Sequence, residues 1–310
     1  ALQWGGSFVP MFPGTQLSAV GGDAVMPSFV GPALFITRTG PNELAPPPEV
    51  QGMWATSGRK VWATVYQDIY HYDGTVWSSW LQPGGVEHGN VWGSGDDHVL
   101  IAGSYNSVPV EALLWDGTSF SDAGVTATAF GGTGEDDVWA IGDSIQHYDG
   151  GWSESRPSDG TFLRAVSARA DGAAWVVGDG EILVWNGSEW TVQQSGLDPL
   201  AAVWATAGGV VACGAGGTVL AGDGTTWTAQ TSGTTVPLTS VTGTSPTDVF
   251  AAGGSGGTLI HYDGIGWAPV RFPGTGTTTL LQLVGSELYI GGFNGGASGS
   301  LWQLHRDQPW

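Results

Sequence analysis

Asp137-Val-Trp139-Ala-Ile141-Gly-Asp-Ser-Ile145-Gln-His147-Tyr-Asp149-Gly150-Gly-Trp152 is the stretch that decides the fold. Two short apolar runs are parted by Gly-Asp-Ser, and Asp-Gly then separates the second run from a tryptophan that opens a third. Asp-Gly between two such runs is a strong hairpin signal, and a type I′ turn there needs positive φ at both central residues. The segment therefore reads as three antiparallel strands, here called b, c and d.

The unit recurs. Its turn and tryptophan return as His71-Tyr-Asp73-Gly-Thr-Val-Trp77, Trp115-Asp-Gly-Thr-Ser-Phe120, Trp185-Asn-Gly-Ser-Glu-Trp190, Gly222-Asp-Gly-Thr-Thr-Trp227 and His261-Tyr-Asp-Gly-Ile-Gly-Trp267. Weaker copies lie at Arg38-Thr-Gly-Pro and His305-Arg-Asp-Gln-Pro-Trp310. A second marker, an apolar strand a, ends at Val20, Trp54, Trp92, Phe130, Val166, Trp204, Val241 and Leu283. The spacing is about 38 residues, and a fixed period of that length marks a repeat architecture.

An all-β chain follows: a single closed β-propeller over residues 1–310, of eight four-stranded blades spanning 15–310, with seven as the alternative if the first repeat is an irregular arm. Residues 1–14 are expected to supply the closing strand of the last blade, because the residues after Trp4 read like those after Trp267. A ring removes the sheet edges that separate four-stranded sheets would expose. Each tryptophan after the turn should lay its ring against the neighbouring blade, burying about 150–250 Å².

The turn-tryptophan unit resembles the Asp-box (BNR) repeat, although Asp and Gly are adjacent here. It is more similar to tandem propeller repeats of secreted myxobacterial proteins, on the pattern carried by residues 129–152 and 238–267. The resemblance implies the propeller fold and export to the cell surface, periplasm or medium. Asp-box motifs are structural, so it carries over no catalytic residue.

Composition narrows the function. The 310 residues hold 53 glycines and 17 tryptophans and carry a net charge of −20. The single lysine is Lys60. Such a surface repels phosphate backbones, which disfavours nucleic acid and anionic membrane as partners. No apolar stretch is long enough to span a membrane. The lone Cys213, in an apolar run, reads as a buried packing thiol, and Ala1 would suit either the start of a processed secretory protein or a trimmed chain.

His71, His147, His261 and His305 each precede an aspartate by two residues, the spacing of a turn hydrogen bond repeated around the ring rather than of a shared metal site. The acidic a–b turns (Asp96-Asp97, Glu135-Asp136-Asp137, Asp171, Asp248) read as turn chemistry. No cofactor is implied, and calcium is the one cation those turns could attract. The glycine runs 214–217 and 253–257 join strands without a following helix or lysine, so they are not phosphate loops.

Residues outside the repeat consensus are the binding candidates. They are Trp80, which lies outside the marker positions; Tyr105 and Asn106, in the longest b–c loop over Gly103–Val110; Arg156, in a d–a loop; and Phe293 and Asn294, in the equivalent b–c loop of the last blade. Together they suit a non-catalytic extracytoplasmic binding or scaffold propeller, with a glycan or extracellular protein on the face of the b–c and d–a loops, a role that would also fit a subunit of a larger surface assembly. The alternative is a carbohydrate-active hydrolase or lyase at the channel mouth, which needs two convergent carboxylates.

Overall fold

A computed structural model of the chain describes residues 33–37, 40–44 and 50–305, apart from 58–59, 74–76, 82–84, 106–107, 255, 271–276, 285–286 and 294–298. Apart from one turn of 3-10 helix, every regular element is a strand. Each sheet is an antiparallel meander whose strands pair in chain order. The first comprises Gly52–Ser57, Lys60–Val65, Asp68–Tyr72 and Trp77–Leu81, and the second Glu87–Gly95, His98–Tyr105, Val108–Trp115 and Phe120–Thr126. The third comprises Ala129–Gly134, Asp137–Ile141, Ile145–Tyr148 and Trp152–Arg156, and the fourth Leu163–Ala168, Ala174–Gly178, Glu181–Trp185 and Trp190–Ser195. The fifth comprises Leu200–Thr206, Gly209–Gly214, Val219–Gly222 and Trp227–Gln230, and the sixth Ser240–Ser245, Asp248–Gly253, Thr258–Tyr262 and Trp267–Pro269. The seventh has three strands, Thr277–Val284, Glu287–Phe293 and Gly299–His305.

These seven sheets are the second to eighth expected repeats. The first repeat is described only as a hairpin, Ala33–Thr37 with Gly40–Leu44. The closing strand expected from 1–14 lies outside the described residues. Strand a of each sheet packs beside strand a of the next, and that of the seventh also packs beside that of the first. At that last contact Gln282 Nε2 donates to the Ala55 carbonyl at 3.2 Å, and Tyr289 is buried with Val50, Met53 and Tyr70.

Burial grades outward from strand b. Its residues are buried on both faces, as at Ala174–Gly178 and Gly209–Gly214, because a neighbouring sheet covers each side. That is why strand b reads as an unbroken apolar run rather than an alternating one. Trp62, Trp139, Trp175 and Phe250 are all but inaccessible. Strand d, as in Trp152–Arg156, has no buried residue and alternates between half-buried and exposed positions.

Strand a is an edge, and an unpaired edge must satisfy its N–H groups or attract other chains. Side chains of the preceding sheet do this: Phe130 N donates to Asn90 Oδ1, Ala205 N to Ser167 Oγ and Leu281 N to Ser240 Oγ, all at 2.9–3.0 Å. Large rings also lie across the neighbour's backbone. A Cβ on Gly93 would come 2.7 Å from the Trp54 ring, and one on Gly243 would come 3.0 Å from Trp204. Glycine at those positions lets the sheets approach.

The c–d turns differ from the expected type I′ geometry. Only the glycine takes positive φ (Gly117 +91°, Gly187 +96°, Gly224 +98°), and the preceding Asp or Asn does not. The side chain of that residue closes the turn instead. Asp223 Oδ1 accepts N–H bonds from Thr225 and Thr226, both at 2.8 Å, and the Thr225 hydroxyl. Asp116 and Asn186 do the same. The amides of Ser119 and Thr118 hold the Asp116 carboxyl down to about 2. This Asx chemistry replaces a backbone-only turn because three or four residues, not two, separate the paired strand ends.

Histidine also finds a different partner. His147 Nε2 meets Asp137 Oδ1 at 2.8 Å, and His261 Nε2 meets Asp248 Oδ1 at 2.7 Å, not the aspartate two residues on. The carboxylate comes from the start of strand b and also accepts a hydroxyl from strand a, Thr133 or Thr244. Each imidazole stacks on a strand-b ring, Trp139 or Phe250, at 3.9 and 4.4 Å. In the first sheet Lys60 stands where Asp137 stands in the third. Lys60 pairs with Asp96 across to the next sheet at 2.7 Å, while His71 stacks on Trp62. Cys213 is buried as expected, its thiol pushed up to about 12 by burial.

Trp139 ties its own sheet to the next. Trp139→Ala should cost about 3–5 kcal/mol in urea denaturation; a loss below about 1 kcal/mol would remove strand-b rings as the packing centre.

Candidate functional site

Meander topology puts all b–c and d–a connections on one face and all a–b and c–d turns on the other. The a–b/c–d face carries the turn aspartates, whose oxygens are largely taken up by local N–H and O–H donors. Among the described residues no three His, Cys, Asp or Glu side chains are grouped to hold a metal. No helix there is long and apolar enough to cross a membrane.

The b–c/d–a face is different: it exposes apolar rings. Tyr66, Tyr105 and Phe162 are 39%, 50% and 58% exposed, and Val108 is 62% exposed. Tyr66 sits in the b–c turn of the first sheet with φ of +50°, a conformation that bulky residues rarely adopt. Its carbonyl is held by His88 N at 2.6 Å. Phe162 ends the d–a loop between the third and fourth sheets. The Arg164 guanidinium lies 5.0 Å from its ring centroid and pairs with Asp179 Oδ1 at 2.8 Å. In the same loop Arg156 pairs with Asp159 at 2.6 Å, and Asp159 also accepts Thr161 N at 2.9 Å, which holds its carboxyl below the usual range. Asp159 and Asp179 are therefore each committed to an arginine.

The expected residues distribute unevenly. Tyr105 lies on this face, but not in a long loop: strands b and c run on to Tyr105 and resume at Val108, and the two residues pair. The Gly103–Val110 loop is therefore a tight hairpin, since Gly103, Ser104 and Tyr105 all find strand-c partners. Asn106 and Asn294 lie outside the described residues. Phe293 ends strand b of the seventh sheet, opposite Thr277 and Gly299. Trp80 is in strand d, partly buried between the first and second sheets, with ring centroids 5.4 Å from Trp115 and 5.6 Å from Phe120. Arg156 is at the rim. Sequence reading passed over Tyr66 and Phe162, although both fall at connections once the repeats are aligned. It also passed over a groove of about 500 Å³ between the third and fourth sheets, bordered by Glu154, Ser155, Arg156, Trp185, Glu189 and Trp190.

Beside this face His88 is buried, with neither ring nitrogen hydrogen-bonded among the described residues. Burial holds it down to about 4, so it is neutral in the fold. An unfolded histidine titrates near 6.5.

No protein-family model matches the chain, and neither does any curated protein. Solved structures do. The YCF48 protein of Cyanidioschyzon merolae superposes with a TM-score of 0.65 at 14% identity, covering 92% of this chain and 100% of that one. A YCF48 bound to a D1 peptide gives 0.63 at 15% identity, covering 83% and 92%. The WD40 β-propeller domain of Doa1 gives 0.63 at 10%, covering 82% and 92%. The chain has a repeat β-propeller fold.

The histidine gives a pH prediction. Between about pH 6.5 and 4 the unfolded chain binds a proton that folded His88 refuses, so the His88 contribution is lost as pH drops through that window, and below it the depressed carboxyls of Asp116 and Asp159 carry the fall further. The His88 loss should reach about 3 kcal/mol. His71, also lowered by burial, acts in the same direction. Urea denaturation at stepped pH should show this fall in the wild type and a shallower one in His88→Leu; equal slopes would contradict it.

Proposed function

We propose that the chain is an extracytoplasmic, non-catalytic propeller of seven blades closed into a ring, which binds a protein segment across its b–c/d–a face. The observation that carries this reading is that the three exposed aromatic rings among the described residues, Tyr66, Tyr105 and Phe162, share one face with Val108, whereas the other exposed large apolar side chains, Val192 and Ile265, are aliphatic and stand apart in a strand d and a c–d turn. Aromatic rings held on rigid turns give large contact area at low entropic cost. The fixed Arg164–Asp179 and Arg156–Asp159 pairs beside Phe162 provide a polar rim.

Closure of the ring is supported by the packing of the seventh sheet's first strand on that of the first and by the Gln282–Ala55 bond. Export is supported by the likeness of the turn-tryptophan units to those of secreted propellers. A similarly folded protein has been solved with a peptide bound, which fits a protein ligand better than a glycan.

The test is selection of displayed peptides on the immobilised protein, beside a glycan array. Tyr105→Ala combined with Phe162→Ala should leave the melting temperature unchanged, since both rings are exposed, and weaken the selected peptides at least about tenfold. Peptides that bind the double variant equally well, or retention of glycans alone, would sink the reading.

A further inference from the structure

The outer strands of neighbouring sheets are joined by one recurrent bond. Trp152 Nε1 donates to Ala123 O, Trp190 Nε1 to Ser155 Oγ, Trp227 Nε1 to Gln193 Oε1 and Trp267 Nε1 to Gln230 Oε1, at 2.6–3.0 Å. Every acceptor is three residues into strand d of the preceding sheet. In the first sheet that position is Trp80.

The side chain there differs from one interface to the next, and between the second and third sheets Ala123 is packed among Leu114, Tyr148 and Trp152. Gln193 reaches across to the next indole and also donates to Gly224 O at 2.7 Å. Trp80 lays a whole indole against Trp62, Trp115 and Phe120, with centroids 5.4–5.9 Å away. Ser155 satisfies Trp190 with a hydroxyl and fills little else, and the groove of about 500 Å³ opens at this interface.

His147, Trp185 and Trp190 line that groove, with Trp139 buried behind them, and the cluster repeats the surroundings of Trp80. Trp139 lies 5.3 Å from Trp185 and 5.0 Å from Trp190. In the first interface Trp62 lies 5.3 Å from Trp115 and 6.0 Å from Phe120. His147 stacks on Trp139 as His71 stacks on Trp62. The third interface has the aromatic cluster with Ser155, not an indole, at the position that Trp80 takes in the first. At its border Glu154 and Glu189 are exposed and pair with no cation among the described residues, while Arg156 is held by Asp159.

We infer that this groove is a second binding site, on the rim, which accepts an aromatic side chain of a partner peptide in the position that Trp80 takes one interface apart, with a basic residue beside it facing Glu154 and Glu189. The volume suits an indole with its flanking backbone, and the carboxylates together with the net charge of −20 favour a cationic segment. The site shares Arg156 with the rim of the b–c/d–a face but uses neither Tyr105 nor Phe162.

The experiment titrates the intact protein, with indole N–H signals assigned by NMR, against the peptide amide Ac-Lys-Trp-Lys-NH2. Ac-Lys-Ala-Lys-NH2 and cellohexaose serve as comparison probes. The tryptophan peptide should shift the Trp190 indole N–H saturably and the alanine peptide should not. Ser155→Gln installs the side chain that Gln193 and Gln230 use, so the indole bond and the melting temperature should persist while affinity falls at least about tenfold. If that variant does not fold, Glu154→Gln with Glu189→Gln, both at exposed positions, should weaken the peptide and flatten its salt dependence. No shift with the tryptophan peptide, an equal shift in these variants, or a shift with cellohexaose alone would overturn the inference. Loss of the loop-face peptides in Tyr105→Ala/Phe162→Ala leaves this titration unchanged, so the two readings fail separately.

Discussion

Everything in this molecule depends on what happens at the flank of a four-stranded sheet. Alone, such a sheet would expose two apolar faces and two unpaired edges to water, which small sheets cannot sustain. Here the next sheet covers each face. Strand-b rings fill the space between sheets, strand a has its edge N–H groups taken by the neighbour's side chains, and an indole N–H fastens strand d to the sheet before it. The fold is a series of such junctions, and it owes little to any long-range element.

The same junction explains why the repeat tolerates so much variation. The Thr–Asp–His relay on a strand-b ring occurs in the third and sixth sheets and is replaced in the first by Lys60 reaching outward to Asp96. Leu100 and Val211 stand at the ring position in the second and fifth sheets. What persists is apolar volume between sheets and a satisfied edge. Sites arise where one junction is filled differently from the others, as at Ser155, or where a turn holds a ring that no neighbour covers, as at Tyr66.

Much of the fold was legible in the chain, for a local reason. Asp149-Gly150 and Asp263-Gly264 fix hairpins within a few residues, so strands b, c and d could be placed from Val138, Ile145 and Trp152 outward. The turn type was not legible, because it depends on loop length and on whether the aspartate oxygen meets two later amides, as Asp223 does with Thr225 and Thr226. Nor was the partner of His147 legible: Asp137 is ten residues away and reaches it only because strands b and c pair in register. The site was harder still. Tyr105 and Arg156 stood out as departures from the consensus, but Trp80 did too, and only packing distinguishes an indole buried between sheets from one offered to a partner.

The most direct test of the junction account is native-state hydrogen exchange at the indole N–H groups of Trp152, Trp190, Trp227 and Trp267. If these bonds fasten sheet to sheet in one cooperative structure, all four should exchange slowly and with the same free energy, equal to that of global unfolding. Fast exchange at all four, or four unrelated opening energies while the sheets stay folded, would contradict the account.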